Sequence, residues 1–187
     1  MKAFFLFLFL LATGTTPKEP ILDRNEAKEA FRFLNQVRTK PEQFYKEFPF
    51  LKEYKKRHLL QWNDTLAKAA EAKALDMATN NYFGHIDKNG FAMNHYIHKA
   101  GYQLKPSWIK TPTENYFESL NAESPSGREV IKSLLIDEGV PSLGHRRHLL
   151  GIDPFYESLY DIGIGFAKRD SGSAHKTYTC ILIAKHN

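Results

Sequence analysis

The chain ends in two runs that suit strands and not helices: Ile162-Gly163-Ile164-Gly165-Phe166-Ala167 and Thr177-Tyr178-Thr179-Cys180-Ile181-Leu182-Ile183-Ala184. β-branched and aromatic residues dominate both. Asp170-Ser171-Gly172-Ser173 between them is turn chemistry, so the two runs are predicted to pair as a hairpin. Everything between the leader and this hairpin reads as helix or loop. Helices first and paired strands last predict a layered α+β fold.

Asp23 is placed to cap a helix over 24–38, with Ala27, Ala30, Phe31, Leu34 and Val37 on its apolar face. Pro41 opens a short helical segment, Pro41-Glu42-Gln43-Phe44-Tyr45, and 46–61 reads as loop with a helical turn. Asn63 or Asp64 caps a second long helix through Leu66, Ala69, Ala70, Lys73 and Met77, whose alanines suit close packing. A further helix is expected over 92–100, stopped by Gly101. Pro106, Pro112 and Pro125 make 102–126 loop, and Ser126 caps a helix running to Asp137. There are no internal repeats.

The 187 residues suffice for one domain with a real core and are few for two. A formal charge of +5 is spread along the chain without a basic stripe, which argues against nucleic acid as a partner. The start is distinctive: Lys2, then ten apolar residues from Ala3 to Ala12, then small residues at Ala12 and Gly14. This is the pattern of a cleavable secretory signal over residues 1–14, leaving one domain over 15–187 that is secreted or periplasmic. The apolar run is too short to span a bilayer, which needs about 20 residues. Cys180 is the only cysteine, so no internal disulfide can form, and a buried core thiol is expected.

Polar residues recur at the edges of these elements. His85 lies in Tyr82-Phe83-Gly84-His85-Ile86-Asp87-Lys88-Asn89-Gly90, Glu114 in Thr113-Glu114-Asn115-Tyr116, and Asp137-Glu138 end the fourth helix. His145 follows in Gly144-His145-Arg146-Arg147-His148. With Leu34-Asn35-Gln36-Val37-Arg38, Ala100-Gly101-Tyr102 and the Ile-Gly-Ile-Gly strand, this order of marks resembles the CAP superfamily of cysteine-rich secretory proteins, venom antigens and plant pathogenesis-related proteins. The resemblance covers nearly the whole mature chain. The missing disulfides and the short link from Glu138 to Gly144 match the shorter bacterial branch.

The resemblance implies a three-layer α-β-α sandwich and a cleft with two histidines and two acids. By position these are His85, His145, Glu114 and Asp137, with Glu138 the alternate to Asp137. His85 and His145 would be the metal ligands. Neutral imidazole suits zinc, a carboxylate can hold the ring's other N–H, and two imidazoles alone make a weak, open site. The implied role is non-catalytic binding of an extracellular lipid or sterol, a cell-wall glycan or a protein. The rival is a metal-assisted hydrolase or peptidase in which Glu114 and His145 act on water. A third reading makes the quartet a buried polar network that organises loops.

The other candidates are weaker. His148 is expected at the surface, as are His95 and His98 on their helix. Asp87-Lys88-Asn89-Gly90 lacks the oxygen ligands of a calcium loop and reads as a turn. Trp62 and Trp108 suit core or cleft wall, and Ser142 lacks a strained nucleophile turn. If the leader is read correctly, protein recovered from outside the cytoplasm should begin near Thr15 on N-terminal sequencing; an intact Met1 there would refute it.

Overall fold

The computed structural model describes residues 18–170 and 172–187, so the signal segment expected over 1–14 lies outside the described residues. Helix α1 (Arg24–Thr39) begins where expected, because the Asp23 side chain accepts from the N–H groups of Asn25 and Glu26. Short 3-10 turns follow at Pro41–Phe44 and Pro49–Glu53. Asn63 caps α2 (Asp64–Asn80) by accepting from Thr65 and Leu66, and Ser126 caps α4 (Gly127–Ile136). Each such cap contributes about 1 kcal/mol. Between them lies α3 (Met93–Lys99); after α4 come α5 (Gly144–Leu150) and α6 (Pro154–Glu157).

One sheet runs through the middle. Its strands are β1 (Ile21–Leu22), β2 (Gln61–Trp62), β3 (Glu118–Ala122), β4 (Asp161–Lys168) and β5 (Thr177–Ala184). The order is β1-β4-β5-β3, with β2 beside β4. β4 and β5 form the expected antiparallel hairpin, Ile162 opposite Ile183 and Phe166 opposite Thr179. Every residue of β5 is buried, Cys180 among them. α2 covers one face of the sheet, while α1 and α4, packed on each other, cover the other. The result is a three-layer α-β-α sandwich.

Three local expectations change. β3 falls inside 102–126, which the prolines had marked as loop; none of them lies between Thr113 and Ser124, and the strand forms there against β5. On α1, Phe33 is fully buried while Phe31 is only half-buried against Trp62. The helix touches both β4 and α4, so its buried stripe is wider than a single face. His148 is not at the surface. It lies on the inner side of α5, 3% exposed, with Nδ1 2.7 Å from Ser119 Oγ on β3.

The layers approach more closely than side chains would allow. A Cβ built on Gly163 would fall 2.2 Å from the Ala67 nitrogen of α2, and one on Gly165 2.2 Å from the Ala70 oxygen. The alternating glycines of β4 and the alanines of α2 therefore form one contact. Asn35 and Arg38 fix the far end of α1: Asn35 bonds both the N–H and the carbonyl of Leu60, and Arg38 donates to Leu149 O at 2.6 Å. Burial holds the Arg38 guanidinium down at about 10.

Two measurements check this packing. Gly163→Ala forces α2 off the sheet and should cost about 3 kcal/mol in urea unfolding; a cost under about 1 kcal/mol would show that the contact is loose. Burial pushes His148 from its ordinary 6.5 to about 3. The unfolded chain therefore binds that proton first, and stability present above 6.5 is lost as pH falls toward 3. His148→Gln should flatten the fall of unfolding free energy with pH in that window by about 1 kcal/mol per pH unit. Equal slopes for both proteins would place His148 outside the core.

Candidate functional site

α2 ends in Asn81, in the left-handed conformation at φ 53°, and the chain turns through Phe83 to His85. Lys73 of α2 steadies this turn, donating to Tyr82 OH at 3.1 Å and to the His85 carbonyl at 3.4 Å. His85 Nδ1 lies 2.6 Å from Glu118 Oε2 at the start of β3. Asn115 Nδ2 donates to the same oxygen at 3.0 Å. The Glu118 side chain is wholly buried, whereas half of His85 is exposed. The other Glu118 oxygen accepts from Cys180 Sγ at 3.6 Å, and burial raises that thiol so that it stays protonated.

The second pair is built by a helix end. Asp137 terminates α4 at φ 54°, which turns its carboxylate inward, 1% exposed. Oδ1 lies 2.7 Å from His145 Nδ1, and Oδ2 accepts from the N–H groups of His145 and Arg146 at 3.0 and 3.2 Å. One carboxylate thus orients the imidazole and caps α5, satisfying N–H groups that a helix start leaves open. Arg146 returns the link, donating to the carbonyls of Leu135 and Ile136 at the end of α4. Glu138 points to solvent, so Asp137 is the inward acid of the two.

Glu114 takes a different place from the one expected. Its Oε2 accepts from Lys110 N at 2.8 Å, closing its own loop, and Glu118 is the carboxylate that meets His85. The Glu-Asn pair drew attention to residue 114, but β3 begins four residues later and its pairing with β5 sets which acid faces His85. The one sequence signal for Glu118 was the run Tyr116–Ala122, aromatic at its start and free of glycine and proline.

The structure therefore brings the polar residues together as two dyads, His85–Glu118 and His145–Asp137. Among the described residues, no group of three or more His, Cys, Asp or Glu side chains is set to hold a metal. Both rings face their carboxylates with Nδ1, which assigns the N–H to that nitrogen and leaves Nε2 as the open proton acceptor or ligand. His145 and Asp137 line a groove of about 800 Å³ with Phe83, Leu120, Asn121 and Ile136. His85 is not part of that lining.

The remaining candidates find ordinary roles. His95 stacks on Phe91 with ring centroids 4.2 Å apart. Asp87 accepts from the N–H groups of Asn89 and Phe91, the expected turn chemistry. Trp108 packs edge-on against Phe117 and Phe155, and Ser142 lies exposed in the α4–α5 link. No helix among the described residues is long and apolar enough to cross a membrane.

The fold is shared with an extracellular protein containing an SCP domain from Bacillus anthracis, at TM-score 0.56 and 22% identity. It is shared with an outer surface protein from Borrelia burgdorferi at 0.59 and 17%, and with a cysteine-rich secretory protein from Staphylococcus aureus at 0.51 and 16%. The match covers 91% of this chain and 99% of the Borrelia protein. It covers 87% of this chain in the other two cases, but only 41% of the Bacillus protein and 39% of the Staphylococcus protein. Among curated proteins no match was found. The profile of the cysteine-rich secretory protein family, CAP, matches residues 31–182, and the chain belongs to that family.

Proposed function

We propose that this CAP chain is exported and acts as a binding protein without turnover, taking an extracellular ligand in the groove beside β3. The observation that carries this is the groove itself. Its volume of about 800 Å³ lies in the range of ligand sites, and Phe83, Leu120, Ile136 and Val140 give it apolar walls. Asn121, Asp137 and His145 supply convergent polar groups. Lipids or sterols, cell-wall glycans and proteins are the ligand classes the family resemblance offers. Hydrolysis finds less support, since Glu114, the expected activator of water, is bound to Lys110 and to neither histidine.

Zinc is proposed as a ligand shared by the two dyads, which among the described residues form no metal-holding group of three or more His, Cys, Asp or Glu side chains. His85 and His145 each present Nε2 with Nδ1 held by a buried carboxylate, which is how protein imidazoles are oriented for zinc. Two imidazoles with water completing the shell would hold it weakly.

Two experiments test the reading. Native mass spectrometry of protein purified from outside the cytoplasm should show a non-covalent ligand; ligand-free protein with chelator-sensitive hydrolysis would replace the proposal with an enzyme. Zinc should raise the melting temperature by mass action, less so as acid competes for the imidazoles. His85→Ala and His145→Ala should each remove that rise, and His95→Ala should leave it. A rise that survives the His85/His145 double variant would put the metal elsewhere.

A further inference from the structure

β3 ends the sheet: β5 pairs with one side of it, and among the described residues no strand pairs with the other. The register fixes which groups are left over. Phe117 O accepts from Ile183 N, and Glu123 N donates to Thr177 O, so odd-numbered residues bond to β5. Antiparallel ladders alternate. The N–H and C=O of Glu118, Leu120 and Ala122 therefore point away from the sheet, on the side where the groove runs; Glu118 and Ala122 are partly exposed, and Leu120, 4% exposed, lies at its floor. Phe83, which follows α2, walls one face of this edge, and Ile136 of α4 walls the other. Both are large apolar side chains left 46% exposed. Asn121 lines the same groove, 8% exposed, with Nδ2 donating to Ser133 Oγ at 3.2 Å.

We propose that this edge receives an extended peptide segment of a partner protein, added to the sheet beside β3 as a further strand, apolar in alternate positions and basic between them. A strand meets every unspent feature at once. Its main chain pairs with Glu118, Leu120 and Ala122, and its side chains alternate between the Phe83 wall and the Ile136 wall. A sterol or acyl chain would cover those main-chain groups without pairing them, which costs free energy for each. A second copy of this chain is a poor fit, because its own edge would arrive with helical layers on both faces. Charge selects the basic side chains: Glu123, Glu129 and Glu138 line the groove against the single Lys132, on a chain whose formal charge is +5, and Glu123 keeps its exposed face beside His175. Lys132 is already paired with Glu47 and Glu129.

The inference rests on the binding reading above, since it uses the same groove, and it requires neither His85 nor a metal. The test uses dodecapeptides selected from a random phage-displayed library against the secreted protein, then synthesised with a fluorophore and titrated by anisotropy. Selected sequences should alternate apolar residues with Lys or Arg. N-methylation of one alternate set of peptide nitrogens should weaken binding about tenfold, and methylation of the other set should leave it within about twofold. Ala122→Pro removes an outward N–H and no ladder bond, which edge strands tolerate, and should also cost about tenfold. Ile136→Lys, at an exposed position, removes the apolar wall and repels a basic strand, and gives a second reading should the proline disturb folding; it should weaken binding by a similar factor.

Failure to enrich any peptide, equal effects of both methylation sets, or affinity unchanged in both variants would overturn the proposal. So would a dimer that Ala122→Pro dissociates in sedimentation, since a second copy would then own the edge. Ala122→Pro should keep the zinc-induced melting shift, so a failed strand site and a failed histidine site give different results.

Discussion

The close contact between α2 and β4 sets the spacing of everything else. Gly163 and Gly165 leave no side chain on the α2 face of the central strand, and Leu66, Ala67 and Ala70 bring the helix backbone down onto it. A sheet and helix held this near cannot slide without a clash, because packed interiors give by tenths of an ångström and not by whole side chains. The end of α2 is therefore delivered to a fixed height over the sheet. The turn that leaves it carries Phe83 to the groove and His85 to Glu118.

The other wall of the site is fixed differently. α4 lies on the opposite face, and its end is tied to the start of α5 by Asp137 and Arg146, each bonding groups of the facing helix end. Carboxylates as deeply buried as Glu118 and Asp137 are tolerable because each meets hydrogen-bond donors on both oxygens. The dyads thus hold loops in place and aim two imidazoles with the same bonds. The carboxylate that fixes the fold is the one that leaves Nε2 open. Between these walls lies the free edge of β3, a kind of surface that folded proteins seldom leave unprotected.

Much of the fold was legible from local sequence. The caps Asp23, Asn63 and Ser126 start helices where they were read, and β4 and β5 pair as the expected antiparallel hairpin. These features depend on a residue and its near neighbours, which is why they survive into the fold. His85, His145 and Asp137 stood out at the ends of readable elements and were assigned by the family resemblance; the structure sets each histidine against a buried carboxylate.

β3 was not legible, and what depends on it was lost with it. Its five residues, Glu-Ser-Leu-Asn-Ala, carry little alternation of their own and become a strand because β5 lies beside them. That pairing decided that Glu118 and not Glu114 meets His85, and that Ser119 turns His148 inward. It also left Glu118, Leu120 and Ala122 facing an open groove. The sequence by itself determined the helices, their caps, the hairpin and the two histidines, since local interactions specify them. The tertiary structure alone decided that Glu118 partners His85 and that the edge lies open, because both arise from the register of strands more than 50 residues apart along the chain.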